Sequence, residues 1–222
     1  MNDFVFRHEN DEIKFVGDFE SLYQFDKDPW QQSSQKPSDM THYYEFSRQN
    51  LIEIIQTKKL KEILEVGCGL GYTTNIIRSR TGLDIDGLDI SSIAVQKASN
   101  KYRHIEFHQG NIKDFTFQKR YSTIIIMQCL WYILHDFDSI IQNITNQIPI
   151  FGHILFSQAF LKDQKYGKDV IDGYDGLVDY FEKHKRYEGQ LLLKMEKKIE
   201  LQKKFRSVNI KFRGLMACLK KK

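Results

Sequence analysis

Glu65, Asp89 and Asn111 stand at regular intervals around a glycine cluster. Glu65 sits two residues before Gly67, and Gly67-Cys68-Gly69-Leu70-Gly71 then runs as Gly-x-Gly-x-Gly. Asp89 lies as far beyond Gly67 as Asn111 lies beyond Asp89. Glycines so placed form a tight turn whose bare backbone a ligand can touch. A carboxylate such as Asp89 can accept from both hydroxyls of a ribose, and the amide oxygen of Asn111 can accept from an amino group. These contacts suit an adenosine-like ligand. Glu65 adds negative charge beside the turn, which opposes a pyrophosphate and suits an ammonium or sulfonium group.

The elements that hold these residues follow from hydrophobic pattern. Strand-like stretches at 62–66, 85–90, 105–108, 122–128 and 153–156 alternate with helix-like stretches at 73–79, 92–102 and 137–148. Ile124-Ile125-Ile126-Met127 is apolar on both faces, as a central parallel strand must be. The alternation predicts an α/β fold: a Rossmann-like, doubly wound, mostly parallel sheet with helices on both faces. Ligands of such sheets bind at the carboxyl ends of the strands. Here those ends carry Gly67-Cys68-Gly69, Asp89-Ile90, Asn111-Ile112 and Gln128. An earlier helix, capped by Ser38 or Thr41, runs through Tyr44, Leu51, Ile54 and Ile55. A helix near 177–181 and strands near 199–205 and 210–219 complete the chain. Residues 1–40 read as an irregular, lid-like segment and 41–222 as the α/β domain.

Composition narrows the classes. With 222 residues, 41% of them hydrophobic, the chain can bury a full single-domain core. It has no window for a membrane span and no leader-like start, which predicts a cytoplasmic protein. Cys68, Cys129 and Cys218 form neither a metal pattern nor a disulfide framework. The net charge of +4 is concentrated in a late run from Lys194 to Lys222. Few aromatic residues interleave with that run, so it reads as a solvated face and nucleic acid is disfavoured as a partner. The oligomeric state is left open.

The ordered motifs resemble those of class I S-adenosylmethionine-dependent methyltransferases. Leu64-Glu65-Val66-Gly67-Cys68-Gly69-Leu70-Gly71 matches that family's first motif, Leu88-Asp89-Ile90-Ser91 its second, and Gln109-Gly110-Asn111-Ile112 its third, with Asn where Asp is usual. Ser122 to Met127 resembles its fourth strand, and Ile150-Phe151-Gly152-His153 a reduced form of its Pro-Gly-Gly turn. The resemblance implies a seven-stranded sheet with the last strand antiparallel. Gly67, Gly69 and Gly71 would border the methionine part of the donor, Asp89 would hold its ribose, and Asn111 with Ile112 its adenine. The Gly-x-Gly-x-Gly spacing and Glu65 separate this donor from a dinucleotide.

The acceptor is less legible, because methyl transfer asks the protein mainly to align a nucleophile and exclude water. The loop Gln128-Cys129-Leu130-Trp131 lacks the Asn-Pro-Pro-Tyr pattern of amino-directed DNA methyltransferases, and Cys129 is not preceded by Pro. No metal is expected: no carboxylate and His residues stand at ligand spacing beside this loop except Asp136, which can equally cap a helix. Trp131 and Tyr132 are candidates to wall the acceptor. His135 is a candidate general base, with a surface or capping role as the plainer reading. Asp28-Pro29-Trp30, followed by a helix with Tyr44 and Arg48, is similar to small methyltransferases of the nodulation-factor type and to others that modify sugars. In that comparison Arg48 would pair with the donor's carboxylate, Tyr43 or Tyr44 would help close the site, and Trp30 would touch substrate. Tyr166 lies in a Tyr-, Lys- and Asp-rich segment that can bind hydroxyls or phosphate, or be an ordinary loop. The first reading is therefore methyl transfer to O or N of a small polar metabolite, a sugar or glycan precursor. The alternatives are an RNA methyltransferase and a non-catalytic donor-binding protein.

Overall fold

The computed structural model describes residues 3–10, 12–33, 39–160, 164–183, 187–203 and 206–221, with the last two segments as backbone. Ser38 and the side chains of the basic C-terminal run lie outside this description.

The chain opens with a hairpin, β1 (Phe6–Glu9) and β2 (Glu12–Phe15), then a short helix α1 (Phe19–Phe25). A long helix α2 (Asp39–Thr57) leads to the main sheet. There β3 (Ile63–Val66), α3 (Tyr72–Thr81), β4 (Ile85–Asp89), α4 (Ser92–Lys101), β5 (Phe107–Gln109) and β6 (Thr123–Met127) follow in turn. After β6 come α5 (Leu130–Ile133), a single 3-10 turn (Leu134–Asp136) and α6 (Phe137–Gln147). Then come β7 (His153–Phe160), α7 (Gly173–Lys183), β8 (Tyr187–Lys203) and β9 (Arg206–Lys221).

The strand order is β5-β4-β3-β6-β7-β9-β8. The first five strands are mutually parallel, and β9 runs antiparallel to both β7 and β8. Every residue of β3, β4 and β6 is buried. Ile124 and Ile126 join Leu64, Val66 and the apolar stripe of α6 on one face. Ile125 joins Ile63 and the buried residues of α2 and α3 on the other. Each such side chain contributes about 1.5–3 kcal/mol of burial. The doubly wound, mostly parallel α/β architecture expected from the sequence is the one observed. The strand order reverses beside β3, and that is where its glycine turn opens.

Four local differences separate the observed elements from the expected ones. Among the described residues before α2, a hairpin and a short helix stand where an irregular segment is expected. Asn10, at φ 50°, turns the chain between two alternating segments, and the Asp18 side chain caps α1 by accepting the Ser21 N–H. β5 starts at Phe107 rather than 105, because Ile105 N–H is taken by Tyr102 C=O in a turn. β7 extends to Phe160, because β9 pairs with it over that whole length. Thr41 is inside α2, which already begins at Asp39.

Candidate functional site

β3 ends where Gly67 N–H and Cys68 N–H both donate to Leu88 C=O, at 2.8 and 3.1 Å. This ties the turn to β4. Gly67 and Gly69 have φ of 71° and 52°, a left-handed backbone that favours glycine. A Cβ on Gly69 would lie 2.5 Å from the Tyr23 hydroxyl, and one on Gly67 would lie 3.1 Å from Cys129. The bare turn is therefore required by sterics from two sides.

Asp89 closes the same corner. Its Oδ2 accepts from Gly69 N–H at 2.7 Å and its Oδ1 from Ser91 N–H at 2.9 Å. Burial raises its pKa to about 6, against the pull of those two amides. Glu65 lies beneath, with the Thr74 hydroxyl donating to it at 2.6 Å. Burial raises Glu65 to about 7, while Thr74 and Arg48 oppose the rise. Arg48 Nε donates to the Thr73 hydroxyl at 3.0 Å and its Nη2 to Gln32 Oε1 at 3.0 Å. Glu65 and Arg48 thus both hold the first turn of α3.

Above the turn lies a cavity of about 300 Å³. Gly67, Gly69, Leu88 and Asp89 line it, together with Ile90, Gly110, Asn111 and Ile112. A wall of six aromatic residues completes the lining: Phe15, Phe19, Tyr23, Trp30, Tyr44 and Tyr132. Tyr132 is the centre of that wall, with ring centroids 5.8 Å from Phe6, 6.2 Å from Phe15, 5.3 Å from Phe19 and 5.8 Å from Trp30. Burial holds its phenol well above the usual range, so it stays protonated. The charged side chains among the lining residues are Asp28, Asp89 and Asp136, and none is Lys, Arg or His.

The structure brings ten of the expected site residues to this cavity: Trp30, Tyr44, Gly67, Gly69, Asp89, Ile90, Asn111, Ile112, Gln128 and Tyr132. Gln128 has a φ of 57° and is held by its side chain, which donates to Tyr43 Oη at 2.5 Å and Ser157 C=O at 3.0 Å. Seven others lie outside its lining. Glu65 and Arg48 are turned under α3, and Cys68 is buried against Gly87. Gly71 caps α3 beside Phe107. Trp131 packs edge-on to Phe160, because one step along α5 points it away from Tyr132. Tyr166 packs on Phe6 and Phe15 from outside, and the exposed His135 stands edge-on to Tyr166.

Sequence reasoning did not reach Phe15, Phe19 and Tyr23. Their signals were present: Glu12-Ile13-Lys14-Phe15 alternates, and Asp18 precedes Ser21 at capping distance. One group of ligand-type side chains lies away from the cavity among the described residues. Asp86, Glu106 and His108 approach within 4.8 Å, but Lys119 Nζ already sits 2.8 Å from Asp86, and the Tyr121 hydroxyl donates to it at 2.5 Å. That group is a satisfied ion-pair network. Among the described residues, no helix is long and apolar enough to cross a membrane.

Comparison with known proteins agrees with this architecture. The malonyl-[acyl-carrier protein] O-methyltransferase of Bacillus anthracis is 31% identical over 98 residues, which cover 43% of this chain and 36% of that enzyme. The chain therefore spans little more than a third of that relative's length. The N-methyltransferase NodS of Bradyrhizobium japonicum, solved with S-adenosyl-L-homocysteine, shares the fold with a TM-score of 0.63 at 16% identity, covering 90% of this chain and 96% of that one. Magnesium protoporphyrin IX methyltransferase of Synechocystis, solved with its methyl donor bound, gives 0.62 at 13% identity, covering 90% and 92%. A family model described as a methyltransferase domain matches residues 57–208, so the chain belongs to that family, the class I S-adenosylmethionine-dependent methyltransferases.

Proposed function

We propose that this chain binds S-adenosylmethionine above the Gly67–Gly71 turn and transfers its methyl group to a small molecule. The observation that carries this reading is the single cavity in which the bare glycine turn, the buried Asp89 carboxylate and an aromatic wall meet. Its residues fit the donor: the turn leaves no side chain in the way, and Asp89 offers acceptors for two ribose hydroxyls. Ile90 and Ile112 provide apolar cover on the Asn111 side, where adenine would lie. When bound, the donor supplies an already activated methyl group. The protein aligns the acceptor and excludes water.

The acceptor occupies the space walled by Phe15, Phe19, Trp30 and Tyr132, and residues 1–40 serve as its lid. A nitrogen acceptor fits better than an oxygen one. An oxygen nucleophile needs a base, whereas a neutral amine does not. Asp28 is occupied by Ser33 and Gln32, and Asp136 by Lys113. Tyr132 is protonated and His135 lies outside. Aromatic faces, with no Lys, Arg or His among the described lining residues, suit a neutral amine better than an anion. An aminosugar satisfies both this reading and the sugar expectation, since aromatic faces also stack on sugar rings. RNA is disfavoured because none of the described lining residues is Lys, Arg or His.

Calorimetry with S-adenosylhomocysteine and with NAD tests the donor. Binding of the first alone is expected, and no binding of it would overturn the reading. A screen of amine and hydroxyl acceptors with isotope-labelled methyl donor tests the second half. Labelling confined to hydroxyl compounds would overturn the choice of nitrogen.

A further inference from the structure

α1 supplies Phe19 and Tyr23 to the cavity wall, yet it is separated from the sheet in sequence by α2 and the loop before it. What fixes α1 in place is Glu20. Its Oε2 accepts from the Ser91 hydroxyl at 2.7 Å and from Ile93 N–H at 3.2 Å, and its Oε1 accepts from Ser92 N–H at 2.9 Å. Ser91, the N-cap, and Ser92 and Ile93 open α4, and only Ile90 separates them from Asp89. The first amides of a helix have no intrahelical partner and carry partial positive charge. Ser91 satisfies Ala94 N–H with its own hydroxyl, at 3.1 Å. Glu20, from more than seventy residues away, satisfies the two amides that Ser91 does not reach.

We propose that Glu20 is a positioning residue for the donor site: it latches α1 onto the start of α4 and so holds Tyr23 against the glycine turn. The proposal rests on the reading of the cavity as the donor site. One turn along from Glu20, the Tyr23 hydroxyl lies over Gly69 and accepts from Trp30 Nε1–H at 2.9 Å. Tyr23 C=O accepts from Lys97 Nζ on the same helix α4. The latch therefore joins three things: the strand end that carries Asp89, the turn that carries Gly69, and the aromatic wall at Trp30. Partial burial of Glu20 acts to raise its pKa, but hydrogen bonds from Ser92 and Ser91 outweigh it and hold the carboxyl down at about 2, so it is charged throughout the neutral range. Glu20 touches no cavity surface itself, so its effect passes through Tyr23 and Phe19.

The chain has two tryptophans, Trp30 and Trp131, so Trp131→Phe leaves Trp30 as the sole indole reporter. In that background, Glu20→Ala is expected to red-shift Trp30 emission, weaken S-adenosylhomocysteine binding at least tenfold and speed its dissociation. Glu20→Gln, which keeps the size and one acceptor, is expected to recover part of each effect and serves as the test if the alanine variant does not fold. Unchanged Trp30 emission in both variants, or binding within twofold of the parent, would overturn the latch. If the parent itself fails to bind S-adenosylhomocysteine, the functional reading falls, and Trp30 emission alone still decides whether Glu20 holds the wall.

Discussion

The Asp89 carboxylate accepts the Gly69 N–H at 2.7 Å, so the acid at the end of β4 and the turn at the end of β3 form one rigid corner. In the proposed function this corner is the ribose seat. Asp89→Ala removes both the seat and the amide's partner. The variant is expected to lose about 1.5–3 kcal/mol of S-adenosylhomocysteine affinity, as a charged hydrogen-bonding group does. Titration calorimetry measures this, and unchanged affinity would refute the assignment.

Proton linkage gives a second prediction. Burial raises Asp89 from 3.8 to about 6 and Glu65 from 4.5 to about 7. For a raised acid, the contribution to stability is complete below the unfolded value and is lost as pH rises through the folded one. The ligand-free protein is therefore expected to melt at lower temperature at pH 8 than at pH 5. Ligand binding uses ionised Asp89, so the rise in Tm caused by S-adenosylhomocysteine should grow over the same interval. Glu20, Glu65, Tyr23 and Cys68 surround Asp89 and bear on its titration. Asp89→Asn should flatten the growth, and thermal melts at both pH values check it.

Gly69 and Tyr23 should be energetically coupled. Gly69→Ala places a Cβ 2.5 Å from the Tyr23 oxygen, whereas the next ring atom lies 3.5 Å away. Tyr23→Phe removes only the oxygen. The single Gly69→Ala change is expected to destabilise by about 1–3 kcal/mol through strain at positive φ plus this clash. The double variant should recover the steric part and keep the backbone part. A double-mutant cycle by denaturant unfolding reads the difference.

Tyr132 and His135 are three residues apart and should behave differently. Tyr132→Ala breaks four ring contacts, each worth about 0.5–1.5 kcal/mol beyond area burial, and opens the acceptor wall. A misplaced acceptor costs on the order of 100-fold in turnover. His135→Ala, at an exposed position outside the cavity, should change stability by no more than about 0.5 kcal/mol and leave turnover near the parent's. A large loss of turnover at His135 would restore it as a base.

Much of this was readable from the chain. A continuous apolar run rich in β-branched residues, such as Ile124 to Met127, set among alternating helix-like stretches, reads as a central strand, and the strand ends then bring Gly67, Asp89 and Asn111 to one edge. Glu65 was placed beside the donor from its nearness in sequence, but strand alternation turns it to the face opposite Leu64 and Val66, where α3 and Arg48 receive it. Trp131 failed for a similar geometric reason on a helix. The wall residues Phe15, Phe19 and Tyr23 were missed because their meaning depends on Tyr132 and Ser91, partners that no local pattern announces.

That long separation has a consequence for how the protein folds. The units β3-α3-β4 and β4-α4-β5 join neighbours in the chain, so they close short loops and can form early. The wall must wait: Phe15, Phe19 and Trp30 meet Tyr132 only once the chain after β6 is in place, and α1 is held only once α4 has presented Ser92 and Ile93. The cavity is thus among the last features to mature, because its aromatic wall is completed only by segments that follow it far along the chain.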